Sequence, residues 1–181
     1  MKKIFVKELM IPISNYVTVK KTDTLVDVLQ SLESARQANT HAHRDAIVVD
    51  AEGTFLGKVT MIDIFRALEP NYKKLMSKSG AGTLTNAFVM KAVKEFNLWM
   101  EPEADICQRG ARKTVAEVMH TPRSVEFLQT NDTLEKALNL YVMGVHQPLI
   151  VNDGDTVSGV LRFGDMFEVV RKALLACSID K

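Results

Sequence analysis

The chain has 181 residues, enough to bury one large core or two small ones. Apolar residues make up 46% and charged residues 25%, which is typical of a soluble protein, and no apolar run is long enough to span a bilayer. The net charge of +1 gives no reason to expect a nucleic-acid or membrane partner. Cys107 and Cys177 lack metal-ligand spacing, so we expect reduced thiols and a cytoplasmic protein.

The chain contains one unit twice. Segments recur in the same order: 6–10 (VKELM) as 115–119 (VAEVM), 23–25 (DTL) as 132–134 (DTL), 46–50 (AIVVD) as 148–152 (PLIVN), and 57–63 (GKVTMID) as 159–165 (GVLRFGD). Copies that pack against each other form clefts between them, so the duplication favours a sensor over a catalyst.

In each copy the Met-containing segment is followed by a short extended stretch, at 16–19 and at 124–127, and then by a helix. Apolar residues spaced i, i+3, i+4 and i+7 predict these helices: Leu25, Val28, Leu29 and Leu32 in the first copy, and Leu134, Ala137, Leu138 and Tyr141 in the second. We expect Asp23 and Asp132 to accept hydrogen bonds from the amide groups at the two helix starts.

A β-hairpin follows each helix. The first is predicted to turn at 50–53 and return over 55–60, and the second to turn at 152–155 and return over 156–161. A closing helix is expected to begin near Asp63 in the first copy and near Asp165 in the second.

The pattern divides the chain into a first repeat at 1–69, a connection at 70–113 and a second repeat at 114–181. Within the connection, 77–82 is predicted to be flexible and 83–100 to form a helix, with one apolar stripe: Phe88, Ala92, Phe96 and Trp99. This stripe either packs against its own module or forms a dimer or partner contact.

The order strand, helix, strand, strand, helix, closed by Gly-x-x-Thr-x-x-Asp at 57–63, resembles the CBS domain. Two such units in tandem resemble the CBS pair, or Bateman module. The resemblance implies an α/β (formally α+β) fold in which two βαββα repeats pack through their sheets, with a helical insertion between them. It also implies homodimers that bind AMP, ADP, ATP or sometimes S-adenosylmethionine in clefts between repeats and regulate a partner protein.

The closing motif supplies the first candidate ligands. The resemblance gives Asp63 and Asp165 the role of receiving two ribose hydroxyls, for which a carboxylate has enough acceptor oxygens; the alternative is a helix cap. Thr60 fills the hydroxyl position, near ribose or phosphate, or is simply a strand-end residue. Arg162 replaces that hydroxyl in the second copy, where it could bind phosphate or fill the cleft. The two sites are therefore predicted to differ.

Basic groups precede both hairpins. Arg44 aligns with His146, and the resemblance places Arg or His here near ligand phosphates; a solvated loop is the alternative. His41 and His43 are a weak metal pair because no further ligand lies at suitable spacing.

The segments after Met10 and Met119 align with the family segment that lines the adenine and phosphates, which adds Ile13, Thr121 and Arg123 to the candidates. We expect Thr121 and Arg123 to lie on the side of Asp165.

An enzyme is not predicted, because the sequence has no Gly-rich phosphate loop, nucleophile elbow or Cys-x-x-Cys motif. The expected function is a regulatory module that senses an adenine nucleotide, acts as a homodimer and modulates an unidentified effector protein. The alternative is an oligomerisation or interaction module whose clefts hold no ligand.

Overall fold

The structure, a computed structural model, describes residues 3–38, 44–69, 71–78, 85–98 and 103–176. The chain divides into two units: Thr18–His120, here called the central unit, and Met1–Val17 together with Thr121–Lys181, here called the terminal unit. The compact units do not coincide with the sequence repeats. The residues at the start of each sequence copy belong to a different unit from the rest of that copy.

Within the described residues, strands and helices follow the order that the duplication predicts. The strands are β1 (Ile11–Pro12), β2 (Thr18–Lys20), β3 (Ala46–Val49), β4 (Phe55–Val59), β5 (Phe127–Gln129), β6 (Leu149–Asp153) and β7 (Thr156–Leu161). The helices are α1 (Leu25–Ala38), α2 (Met61–Leu68), α3 (Asn71–Lys78), α4 (Asn86–Phe96), α5 (Glu103–Arg112), α6 (Val115–Val118), α7 (Leu134–Val142) and α8 (Phe163–Leu175). The predicted α/β fold, with both hairpins and both closing helices, is confirmed.

The central unit is built on a three-stranded sheet in the order β2-β3-β4, with β2 parallel to β3 and β3 antiparallel to β4. The turn between β3 and β4 is held by Asp50, whose Oδ1 accepts from the amide groups of Glu52 at 3.1 Å and Thr54 at 2.7 Å. Its sheet and α1 bury apolar side chains completely or nearly so: Val19, Leu25, Val28, Ala46, Ile47, Val48 and Val59. The continuous apolar run of β3 therefore forms the middle of the core.

The terminal unit has a four-stranded sheet in the order β1-β7-β6-β5, with β5 parallel to β6 and the other neighbours antiparallel. Only Gly154 and Asp155 separate β6 from β7, and Gly154 has a φ of 61°, a conformation that glycine adopts at little cost. One apolar cluster fills the unit: Val6, Leu128, Leu134, Ala137, Tyr141, Leu149, Val151, Leu161 and Met166.

The leading segment of each sequence copy completes the structure of the other copy. At the start of the second copy, Val115 donates its amide to the Asp23 carbonyl at 2.8 Å. The equivalent Val6 donates to the Asp132 carbonyl at 2.9 Å. Further along, β1 pairs with β7, and His120 forms an isolated antiparallel bridge with Lys58 of β4. The two leading segments are thus exchanged with the same hydrogen-bond pattern.

Two glycines make this exchange possible. A Cβ atom built on Gly57 would lie 2.6 Å from the His120 carbonyl oxygen, and one on Gly159 would lie 2.6 Å from the Ile11 carbonyl oxygen. Both glycines occupy the same position of the repeated motif. Their role is to leave room for a neighbouring backbone rather than to adopt an unusual conformation.

The helix caps differ from the prediction. Asp23 and Asp132 do not cap helices: their carboxylates accept from the amide groups of Lys20 at 2.7 Å and Gln129 at 2.8 Å, and so close the turn after the preceding strand. The predicted role of these two carboxylates is wrong because the helices begin one residue later than it requires.

The actual caps are the threonines that follow. Thr24 Oγ1 accepts from the Asp27 amide at 3.2 Å, while Asp27 Oδ2 accepts from the Thr24 amide at 2.8 Å and from its hydroxyl at 2.7 Å. Thr133 caps α7 by accepting from the Lys136 amide at 3.4 Å. Each helix start is therefore fixed by a short-range hydroxyl cap.

The connection carries α3, α4 and α5. Thr85 caps α4 by accepting from the Phe88 amide at 3.1 Å, and Asn97 ends the helix with a φ of 49°. Ala92 of the predicted stripe is buried and Phe96 is half-buried, whereas Trp99 lies outside the described residues. The segment 77–82 is predicted from the sequence to be flexible, but its first two residues end α3; residues 79–82 and Cys177 lie outside the described residues. Among the described helices, none combines the length and hydropathy that a bilayer-spanning segment needs.

Candidate functional site

The strand-to-helix junction between β4 and α2 holds the first candidate pair. Thr60 is the N-cap of α2 and Asp63 its third residue. Asp63 Oδ2 accepts from the Thr60 hydroxyl at 2.6 Å and from the Thr60 amide at 3.1 Å, and each residue is only 6% exposed. The junction thus holds a carboxylate in a fixed orientation with little contact to water. The helix cap, the alternative role of Asp63, is present and positions its carboxylate. A ligand-binding role is compatible with this cap.

Asp63 has charged and imidazole neighbours within the central unit. Arg66, one helical turn further along α2, places Nη1 3.9 Å from Asp63 Oδ1. A ring nitrogen of His120 lies within 4.8 Å of an Asp63 carboxylate oxygen. His120 was not among the predicted site residues. The signal that could have found it is Gly57, because a glycine inside a strand indicates that another backbone passes close by.

A short helix positions the segment that ends at His120. Glu117 accepts from the Thr114 amide at 2.9 Å and from Lys113 Nζ at 3.1 Å, and Thr114 Oγ1 also donates to it at 3.1 Å. These hydrogen bonds, the Thr114 amide first, lower the pKa of Glu117 to about 2. The charged capping residue thereby stabilises the turn that leads to His120.

The equivalent junction of the second copy, between β7 and α8, has a different arrangement. Arg162 replaces the threonine, and its guanidinium binds Asp165 through two hydrogen bonds. Nε donates to Oδ2 and Nη2 donates to Oδ1, both at 2.7 Å. The side chains are 18% and 22% exposed. Both oxygens of this carboxylate are therefore engaged by one planar cation.

The remaining candidates of the terminal unit differ in exposure. Ile13 is half-buried in a single 3₁₀ turn that follows β1 and packs against β7. Thr121 is exposed, and the Arg123 side chain is 75% exposed with Nε 3.7 Å from the buried carboxylate of Glu126.

Thr121 and Arg123 belong to the same unit as Asp165, and their expected position on its side stays a prediction. Their segment begins at His120, which pairs with β4, the strand leading to Asp63. The strand leading to Asp165 is β7, and it pairs with Ile11–Pro12. The exchange of leading segments thus assigns Ile11–Pro12 and His120 each to the sheet of the other copy.

The basic residues before the hairpins are not equivalent. Arg44 is exposed two residues before β3. His146 is half-buried and followed by the cis peptide bond between Gln147 and Pro148. His41 and His43 lie outside the described residues. Among the predicted residues, the structure thus pairs Thr60 with Asp63 and Arg162 with Asp165.

Comparisons with known proteins agree with this architecture. The sequence profile of the CBS domain matches residues 6–70. No curated protein matches the chain significantly. A CBS domain-containing protein of unknown function from Bacillus anthracis str. Ames Ancestor is 18% identical, with a TM-score of 0.60 over 93% of this chain and 94% of its own.

Two further solved structures share the fold. CBSX2, a CBS-pair protein of Arabidopsis thaliana, was solved in complex with AMP; it is 21% identical, with a TM-score of 0.58 over 94% of this chain and 98% of its own. The CBS domain of a bacterial CNNM/CorC family Mg²⁺ transporter, solved in complex with ATP, is 18% identical, with a TM-score of 0.55 over 92% of this chain and 87% of its own.

The profile match shows that residues 6–70 are similar to the CBS domain. The fold of the chain is similar to that of solved CBS-pair proteins over as much as 96% of its length.

Proposed function

We propose that this protein is a regulatory module that binds an adenine nucleotide (AMP, ADP or ATP) at the Thr60–Asp63 junction and transmits its occupancy to a partner protein. S-adenosylmethionine, which contains the same ribose, is a further candidate ligand for this site. The neighbours solved with AMP and with ATP support this ligand class.

The observation that carries the proposal is the Asp63 carboxylate. Thr60 holds it through two hydrogen bonds, so its orientation is set before a ligand arrives. Because the residue is only 6% exposed, hydrogen bonds from the two ribose hydroxyls would form in a poorly solvated place and compete little with water. A charged acceptor makes such bonds stronger than a neutral one.

Regulation follows from differential binding. A nucleotide that binds one conformation of the module better than another shifts the population towards it, and a partner that contacts only that conformation reads the change. At a concentration about 100 times Kd, a ligand that binds only one conformation would stabilise it by about 2.7 kcal/mol, enough to reverse a modest bias.

Isothermal titration calorimetry with AMP, ATP and S-adenosylmethionine tests the proposal. We expect Asp63→Ala to weaken binding by about 10- to 100-fold, because hydrogen bonds to a charged group contribute about 1.5–3 kcal/mol. The matched control is Asp27→Ala, since Asp27 accepts from the Thr24 amide and hydroxyl at 2.8 and 2.7 Å but lies on an exposed helix start. Equal affinities for Asp63→Ala and the wild type, or no binding of any of the three ligands, would count against the proposal.

Exposed apolar side chains favour oligomerisation as the second candidate function. On α2 these are Met61, Ile62 and Phe65; on α8 they are Phe163 and Phe167. Such surfaces are commonly covered by another protein. Sedimentation velocity with and without AMP separates the candidates: a dimer that forms without any measurable nucleotide binding supports the oligomerisation module, and a homodimer whose stability changes with AMP supports the sensor.

A further inference from the structure

In the second copy of the repeated motif, the carboxylate of Asp165 is already bound by another side chain of the same motif. Arg162 approaches Asp165 with its planar fork, donating from Nε and Nη2 to the two different oxygens at 2.7 Å each. Two parallel charge-assisted bonds of this length are the strongest form of arginine–carboxylate contact. The residue that the repeat makes equivalent to Arg162 is Thr60, whose hydroxyl contacts only one oxygen of Asp63 in the hydrogen bonds described above.

Other arginines that lie three residues from a carboxylate are more exposed. Arg36 makes the same two-oxygen contact with Glu33, at 2.9 and 2.7 Å, but these side chains are 62% and 48% exposed. Arg171 also lies three residues from a carboxylate, Glu168, but both of its hydrogen bonds reach the single oxygen Oε2, at 3.0 and 2.8 Å. The Arg171 and Glu168 side chains are 44% and 48% exposed, against 18% and 22% for Arg162 and Asp165. The Arg162–Asp165 pair is therefore better aligned than Arg171–Glu168 and less screened by water than either exposed pair.

We infer that Arg162 determines the number of nucleotides the protein binds, by holding the Asp165 carboxylate so that the second copy is closed to ribose and only the Thr60–Asp63 site is filled. This inference rests on the proposed function. A ribose diol would have to donate to the same carboxylate whose two oxygens the guanidinium already holds, so a ligand would first have to break the fork. The two hydrogen bonds also orient the Arg162 guanidinium towards Asp165. We therefore do not expect Arg162 to bind a ligand phosphate.

Equilibrium dialysis of the full chain with labelled AMP, and with ATP in a parallel series, measures the number of bound nucleotides directly. The wild type is expected to bind one nucleotide per chain, and Arg162→Thr is expected to bind a second. Asp63→Ala should lose the single nucleotide of the wild type. The double variant Asp63→Ala with Arg162→Thr should bind one, now at the second copy.

The matched control is Arg171→Thr, which removes an arginine–carboxylate pair from the same helix and should leave one nucleotide bound. Arg162→Ser provides a second hydroxyl variant if Arg162→Thr does not fold. Two nucleotides on the wild type, or one on well-folded Arg162→Thr and Arg162→Ser, would overturn the inference while leaving the nucleotide sensor intact. A loss of the bound nucleotide in Arg162→Thr would also overturn it, by showing that Arg162 is a ligand contact. No nucleotide on any variant would overturn the proposed function, and this inference with it.

Discussion

Replacing Gly57 with alanine tests the exchange of leading segments at its tightest point. The added Cβ atom would lie 2.6 Å from the His120 carbonyl oxygen, a separation below 3.0 Å that such atoms essentially never show, so the two backbones must move apart by about 0.4 Å or more. That movement strains the hydrogen bonds between Lys58 and His120, which are 3.0 and 2.8 Å long.

The magnitude follows from two opposing effects. Weakening two backbone hydrogen bonds costs about 1–3 kcal/mol, and the lower flexibility of alanine in the unfolded chain returns about 0.4–1 kcal/mol. Gly57→Ala should therefore lower the free energy of unfolding by about 1–2 kcal/mol, which corresponds to a fall in Tm of about 2–8 °C for a chain of this size. Gly159→Ala should behave similarly, because its Cβ atom would meet the Ile11 carbonyl oxygen at the same distance.

Urea unfolding followed by circular dichroism measures the effect, with Gly164→Ala as the matched control. Gly164 lies in the first turn of α8, and a Cβ atom there would meet no heavy atom within 4 Å. This control should be as stable as the wild type or more stable by about 0.5–1 kcal/mol. If Gly57→Ala unfolds at the same urea concentration as Gly164→Ala, the close backbone approach is not what requires glycine at position 57.

Two further predictions concern the core and a helix start. Tyr141→Phe should lower the free energy of unfolding by about 1–3 kcal/mol in urea titrations, because the buried Tyr141 hydroxyl donates to the Leu161 carbonyl and accepts from the Leu149 amide at 3.1 Å; a change below about 0.5 kcal/mol would contradict this. For Glu117, the folded pKa of about 2 lies below the ordinary 4.5, so its stabilising effect is complete above about pH 5 and is lost as the pH falls through the folded value. The stability difference between the wild type and Glu117→Gln should accordingly shrink below pH 4.5, and an NMR titration of the Glu117 carboxyl that shows no lowered pKa would refute the assignment.

The hairpins and the amphipathic helices could be predicted because their signals are local. An apolar run such as Ala46–Val49 followed by a turn at Asp50 specifies a buried strand wherever it lies in the chain. The helix caps were missed by one residue, because aspartate and threonine are both good caps and the dipeptide Asp-Thr places them side by side. Asp23 and Asp132 bind amide groups at the end of the preceding strand, which leaves the threonines to cap the helices. The sequence of the helix alone does not show these hydrogen bonds.

The exchange of leading segments could not be predicted from periodicity. Ile11–Pro12 is too short to show an alternating pattern, and nothing in its own residues specifies whether it joins the sheet of its own copy or the other one. The information lies instead in Gly57 and Gly159, whose missing side chains mark where a second backbone passes.

At the candidate site, the sequence indicated that Arg162 would make the two copies differ but left several roles open. The i, i+3 spacing from Arg162 to Asp165 at a helix start brings the two charged groups within reach of each other, and the structure shows that both carboxylate oxygens are used.

The exchanged leading segments also bear on how such a protein could arise. A single ancestral repeat would have had an open sheet edge until another molecule supplied the missing segment, so its folding would have depended on protein concentration. Gene duplication would have replaced that intermolecular encounter by a tethered one with a high effective concentration. A fragment cut at the boundary between the sequence repeats would have the same open sheet edge. It would keep its own leading segment, which pairs with the other repeat, and would lack the leading segment that completes its own sheet.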